Sequence, residues 1–115
     1  MIKIRNTVLA KNIIYCRSLF SRIKGLMLKR NLDVNTSYIL VNKKDSIEES
    51  SIHTFFMLFK IDILWVNSEN IIVDKREDVK PFKLILRPIK PAKYVIELNS
   101  GKTKSINIGD KIKFL

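Results

Sequence analysis

The stretch Ser51–Ile63, SIHTFFMLFKIDI, constrains the fold more than any other part of the chain. It holds the only histidine, His53, three of the six phenylalanines, and an aspartate, Asp62, set between two isoleucines. A run this apolar belongs in an interior. A polar group inside it must be hydrogen-bonded or put to use, because burying it bare is costly. The stretch is therefore expected at the centre of the fold. Read as a strand, Ser51–Met57 places His53, Phe55 and Met57 on one face and Ile52, Thr54 and Phe56 on the other.

Short alternating segments surround it. Met1–Arg5, Thr7–Ala10 and Ile13–Cys16 read as strands, with Lys11 and Asn12 as a hairpin turn between the last two. Tyr38–Val41 is apolar throughout, as in a strand covered on both faces. Asn42–Ser50, NKKDSIEES, reads as a polar turn region. Ile61–Val66 is a strand, Asn67–Asn70 a hairpin loop and Ile71–Lys75 its return. Pro81 marks an edge or a bend after Val79. Phe82, Leu84 and Leu86 then alternate with Lys83, Ile85 and Arg87. Lys93–Leu98 is a strand with Tyr94, Ile96 and Leu98 opposed to Glu97. Ser105–Ile108 and Lys111–Leu115 flank a Gly109-Asp110 turn. Only Ser18–Leu28 changes period. Leu19, Phe20, Ile23, Leu26 and Met27 recur at helical spacing, and Ser18 suits an N-cap. The fold class these signals predict is α+β, mainly β: a small closed β-barrel-like domain of short, mostly antiparallel strands with one amphipathic helix. Closure would protect the edges of so strand-rich a chain.

The 115 residues suit one domain spanning 1–115, and 46% apolar with 29% charged residues is a globular composition. One cysteine, Cys16, excludes an internal disulfide and fits a reducing compartment. Lysine and arginine interrupt the N-terminal segment, so it lacks a signal-peptide core, and no stretch approaches a membrane span. A soluble, cytoplasmic protein is expected. The net charge of +11 is spread over both halves, but residues 1–32 and the segment Lys80–Lys93 contain no acid. Lys80, Lys83, Arg87, Lys90 and Lys93 make the second of these a candidate surface for nucleic acid or another polyanion.

Chemistry-bearing residues are few. His53 is either a core imidazole bonded to a carbonyl or a ligand-contacting group at a barrel mouth, with Asp62, Glu97 or Asp110 as possible partners. Asp62 is either an ion-paired or turn-capping carboxylate or the group that orients His53. Arg22 can clamp Asp62 or Glu97, or bind an anion. Met57 fills core space or, with His53, Cys16 and Met27, offers soft ligands to copper(I), but this is a thin donor set and no metal or cofactor is expected. Cys16 reads as a small buried residue rather than a nucleophile, and no glycine-rich phosphate loop is present.

Five pieces in order carry a family resemblance. Arg22-Ile23-Lys24-Gly25-Leu26-Met27, with Arg30 after it, is similar to an R-x-x-GLM-x-x-R segment. His53-Thr54-Phe55-Phe56-Met57 followed by Ile61-Asp62 is similar to an H-T-x-x-M-x-x-x-I-D block. Pro81, then Ala92 to Glu97 with Gly101, then Gly109-Asp110 complete the order. Over nearly its whole length the chain resembles the bacterial and archaeal domain of unknown function 192 family. The resemblance implies a small β-barrel-like α+β domain with one helix and no established activity. This chain departs from many relatives in lacking a signal peptide and in carrying Phe56 and Leu58 near the methionine.

Three functional readings follow. The first is a small non-catalytic module binding a small ligand or a protein segment through Arg22, His53, Met57, Asp62 and Glu97. The second is a basic nucleic-acid or ribosome-associated protein. The third is an enzyme with a His53/Asp62 acid–base pair.

Overall fold

The computed structural model describes residues 1–16, 32–52, 54, 57–83 and 85–115. Eight strands follow in chain order: β1 (Ile2–Ile4), β2 (Thr7–Ala10), β3 (Asn12–Cys16), β4 (Thr36–Ser46), β5 (Ile61–Val66), β6 (Ile72–Val79), β7 (Ala92–Asn99) and β8 (Lys113–Phe114). They form a three-stranded sheet in the order β2-β1-β8 and a five-stranded sheet in the order β3-β4-β7-β5-β6.

Strand β5, IDILWV, lies inside the larger sheet between β7 and β6 and is buried at every position. Its branched and aromatic side chains suit a pleated surface covered on both sides. Alternation sends Ile61, Ile63 and Trp65 to one face and Leu64 and Val66 to the other. The first group packs with Tyr38, Leu40, Val95, Ile52, Met57 and Leu86. The second packs with Ile39 and Ile96, and with Ile2, Ile4 and Leu9 of the small sheet. The molecule is thus layered: small sheet, large sheet, then a cover of irregular chain that includes Ile52, Met57 and Leu86.

The cover is held by backbone pairing. Ile52 and Leu86 exchange N–H···O bonds of 3.0 and 2.8 Å. Thr54, buried, adds four more to the segment after β6. Its N–H donates to Lys83 O at 3.0 Å, and its carbonyl accepts from Phe82 N–H at 2.8 Å. Its hydroxyl donates to Lys80 O at 2.8 Å and accepts from Lys83 N–H at 2.9 Å.

Several expectations are corrected. The sheets are open: β3 and β6 lie at opposite edges of the larger sheet and do not pair, so the strands do not close into a barrel. Edge protection comes instead from a short β3 and from charges on β6, where Lys75, Arg76, Glu77 and Asp78 stand in sequence. No helix occurs among the described residues, which are all-β and not α+β; the helix expected over Ser18–Leu28 lies outside them. The segment from Lys11 to Asn12 is not a hairpin turn, because β2 pairs with β1 while β3 runs parallel to β4. Strand β4 continues to Ser46 through residues read as turn. Its second half is largely exposed, so polar side chains cost it nothing. Among the described residues of Ser51–Met57, an isolated bridge at Ile52 is found in place of the expected strand.

Leu64 is fully buried in β5, an interior strand of the larger sheet. Leu64→Ala should lower unfolding free energy by about 2–5 kcal/mol, measured by urea denaturation with Trp65 fluorescence. Ile85→Ala, at an exposed position, should stay within about 0.5 kcal/mol.

Candidate functional site

Asp62 is completely buried, and its carboxylate is fully engaged. Oδ1 accepts the Asp78 N–H at 2.9 Å. Oδ2 accepts the N–H groups of Gly101 at 3.1 Å and Thr103 at 3.0 Å, and the Thr103 hydroxyl at 2.7 Å. Asp78 stands at a β6 bulge with φ 50°, and Gly101 at φ 93°. Backbone in those conformations turns its N–H groups away from a sheet ladder, and Asp62 receives them. Asp78 also accepts a hydrogen bond from the Ser100 hydroxyl. The carboxylate therefore ties β5 to the β6 bulge and to the turn after β7. Taking a proton from a substrate would require breaking this cage, which argues against a role as a solvent-facing base.

Glu97 is also buried, but on the other side of the sheet. It pairs in register with Ile63 and Tyr38, so it shares their face, whereas Asp62, one residue from Ile63, faces the opposite way. Met57 lies in the core cluster on the Glu97 side. The structure thus separates Asp62 from Met57 and Glu97 by the thickness of the sheet. His53 and Arg22 lie outside the described residues. Asp110, considered as a partner for His53, closes its own turn by accepting the Asn107 N–H at 2.9 Å, and lies 3.5 Å from Arg5. Cys16 is buried. Among the described residues no cluster of three or more His, Cys, Asp or Glu side chains could hold a metal ion.

A concave feature lies elsewhere among the described residues. Tyr15 of β3, Val41, Asn42 and Lys43 of β4, Tyr94 of β7 and Phe114 of β8 line a half-open cleft of about 590 Å³. Register explains the convergence: Val41 pairs with Tyr94 across β4 and β7, and β8 brings Phe114 over them. The Tyr94 and Phe114 rings are tilted at 45° with centroids 5.2 Å apart, and Lys93 Nζ lies 5.6 Å from the Tyr94 ring. Asn42 Nδ2 is buried and donates to no acceptor among the described residues. None of these residues except Lys93 stood out in the sequence. They are scattered over four strands, and only pairing register assembles them.

Of the basic candidates, Lys80, Lys83, Arg87 and Lys90 are exposed and Lys93 is half-buried. The first four occupy the connection from β6 to β7, which bridges to Ile52 through Leu86, and Lys93 is the second residue of β7.

Comparison with known proteins now adds to this geometry. The model of DUF192, described as "Uncharacterized ACR", matches residues 2–114. The chain belongs to the DUF192 family. A UPF0127 protein of Thermococcus kodakarensis is 36% identical over 95 residues, which cover 81% of this chain and 58% of that protein. One of Pyrococcus horikoshii is 33% identical over 99 residues, covering 84% and 82%. The chain thus spans less than two-thirds of the length of several Thermococcus relatives it matches. A crystal structure of a protein of unknown function from Novosphingobium aromaticivorans superposes with a TM-score of 0.79 at 20% identity, over 89% of this chain and 74% of that one. This DUF192 chain therefore shares its fold with a solved protein. No helix among the described residues is long and apolar enough to cross a membrane.

Asp62→Ala would leave three backbone N–H groups without their acceptor, each costing roughly 1–3 kcal/mol if it stays buried. After relaxation the expected loss is about 3–5 kcal/mol, read by chemical denaturation. Hydrogen exchange at Gly101 and Thr103 should accelerate. Unchanged exchange there would show that the carboxylate is not the pin of this turn.

Proposed function

We propose that this chain is a small non-catalytic binding module, acting in the cytoplasm, whose cleft takes a flat, partly apolar small molecule carrying an acidic group. One observation carries the reading: three aromatic rings from three strands line one concave space with Asn42 and Lys43, and Lys93 Nζ stands 5.6 Å from the Tyr94 ring. The volume lies in the range usual for small-molecule sites, which combine apolar walls with a few polar groups. Rings at the Tyr94–Phe114 spacing offer a tilted platform for another ring. Lys43 and Lys93 favour negative charge on the occupant. Asn42 Nδ2 has no acceptor among the described residues, so turning it toward an incoming acceptor breaks none of their hydrogen bonds. The single cysteine supports the choice of compartment.

The test is an amide-resolved NMR titration with benzoate and indole-3-acetate, and with neutral indole for comparison. Saturable shifts should centre on Tyr15, Asn42, Lys43, Tyr94 and Phe114, and the acids should bind more tightly than indole. Phe114→Ala should weaken binding about tenfold, and Asn42→Ala about fivefold, with Trp65 fluorescence confirming the fold. Shifts that do not saturate, or binding indifferent to Phe114→Ala, would overturn the assignment.

A further inference from the structure

The connection from β6 to β7 combines two properties that do not usually occur together. Between Asp78 and Glu97 the chain carries Lys80, Lys83, Arg87, Lys90 and Lys93 and no acidic residue. Within the same connection Phe82, Ile85 and Ile89 are 62%, 70% and 63% exposed. Scattered single apolar residues on a surface need no explanation. Three within eight residues, interleaved with cations, are a pattern.

The chain could have turned these side chains inward, as it does with Leu86 and Pro88, both of which are buried. Its described residues Phe82, Ile85 and Ile89 are held facing outward instead. Thr54 fastens Lys80, Phe82 and Lys83 from below, and Ile52 fastens Leu86. Asp74 Oδ2 accepts the Ile89 N–H at 3.0 Å, and Arg76 donates to Arg87 O at 3.3 Å. Phe82 adopts φ 65°, a conformation that is strained for a bulky residue. Pro81, Pro88 and Pro91 stiffen the path. Fixing a loop in its presenting shape lowers the ordering cost of whatever it meets.

We infer that the connection 80–93 docks this protein onto an anionic lipid surface, with Ile85 and Ile89 entering the headgroup–acyl boundary and the surrounding lysines and arginine on lipid phosphates. The chemistry favours lipid over nucleic acid. Two of the three exposed apolar side chains, Ile85 and Ile89, are branched aliphatics with no flat face to stack on a base, and exposing them gains nothing on a phosphate backbone; Phe82 is the one ring among them. At an interface both terms operate: apolar insertion, and roughly 1 kcal/mol per basic residue near a negative surface. The cleft lies on the other face of the large sheet, and the inference has only Lys93 in common with it.

The experiment is vesicle flotation of the full chain with phosphatidylglycerol/phosphatidylcholine (1:1) and with phosphatidylcholine alone. Binding should require the anionic lipid. Ile85→Ser with Ile89→Ser, two exposed sites that leave the core intact, should reduce the partition coefficient about tenfold. Lys83→Gln, Arg87→Gln and Lys90→Gln together should reduce it about a hundredfold. The control triple Lys11→Gln, Lys104→Gln and Lys113→Gln, which removes the same net charge elsewhere, should change it less than fivefold. A chain that ignores anionic vesicles overturns the inference. So does one whose binding survives the isoleucine changes, or falls equally with the control triple, since either would mark nonspecific attraction of a basic protein. Binding to a single-stranded RNA oligomer that is lost with the loop triple but indifferent to the isoleucine pair would assign the surface to nucleic acid instead.

Discussion

The carboxylate of Asp62 is the interaction on which the rest of this fold is arranged. A carboxylate with no solvent contact in an interior strand is tolerable only because four donors converge on it. Those donors come from places that a flat sheet would not bring together: a bulge in β6 and the turn that follows β7. Once Asp62 is fixed, the strands on either side of β5 are fixed with it, since β6 supplies Asp78 and β7 leads directly into Gly101 and Thr103. The neighbouring Lys75 strengthens the same corner by donating to Thr103 O at 2.9 Å and Ile106 O at 2.6 Å. An isolated aspartate between isoleucines looked like a candidate for chemistry. In the structure it does the work of a fold.

The limits of reading this chain from its sequence have physical causes. Strand β5 was legible from end to end because burial on both faces leaves only apolar residues and one satisfied polar group. The alternation in β7 was legible because Tyr94, Ile96 and Leu98 share one buried face, and the Asn67–Asn70 turn because asparagine caps it, with Asn67 Oδ1 accepting the N–H groups of Glu69 and Ile71. Strand β4 was read too short. Beyond Val41 its register with β7 slips until Ser46, and a largely exposed strand carries no hydrophobic alternation to betray it. The parallel pairing of β3 with β4 had no local signal at all, since periodicity reports faces and not neighbours. Closure failed for a related reason: strand count and spacing do not say whether the first and last strands of a sheet meet.

The same reasoning applies to the site. Sequence drew attention to rare residues in apolar surroundings, and the structure places Asp62 and Glu97 on opposite faces of one sheet. The cleft residues Tyr15, Asn42, Tyr94 and Phe114 are unremarkable one by one. Their significance is created by the pairing of Val41 with Tyr94 and by β8 crossing beside them, long-range facts that no window of sequence contains. Thr54 was similarly missed. It appeared as one more residue in the central stretch, although its four hydrogen bonds determine the shape of the basic connection.

The arrangement of the two proposed surfaces follows from the layering. The cleft lies on the small-sheet side, where Val41, Tyr94 and Phe114 pack at the edge of one core. The basic connection lies over the other core, through Leu86 and Ile52. A strand with both faces buried separates them, so an occupant of one does not cover the other. They are nonetheless joined by chain, because the connection runs straight into β7, where Lys93 stands against the ring of Tyr94. Lys93 is the residue nearest to both: it follows the basic connection as the second residue of β7, and its ammonium stands against the Tyr94 ring that lines the cleft. Its charge is shared by Coulomb attraction with any anion on either side, weakly if the anion lies beyond a Debye length of about 8 Å and strongly if it lies within the cleft. The two surfaces therefore share a single charged residue and otherwise act as separate sites on one rigid sheet.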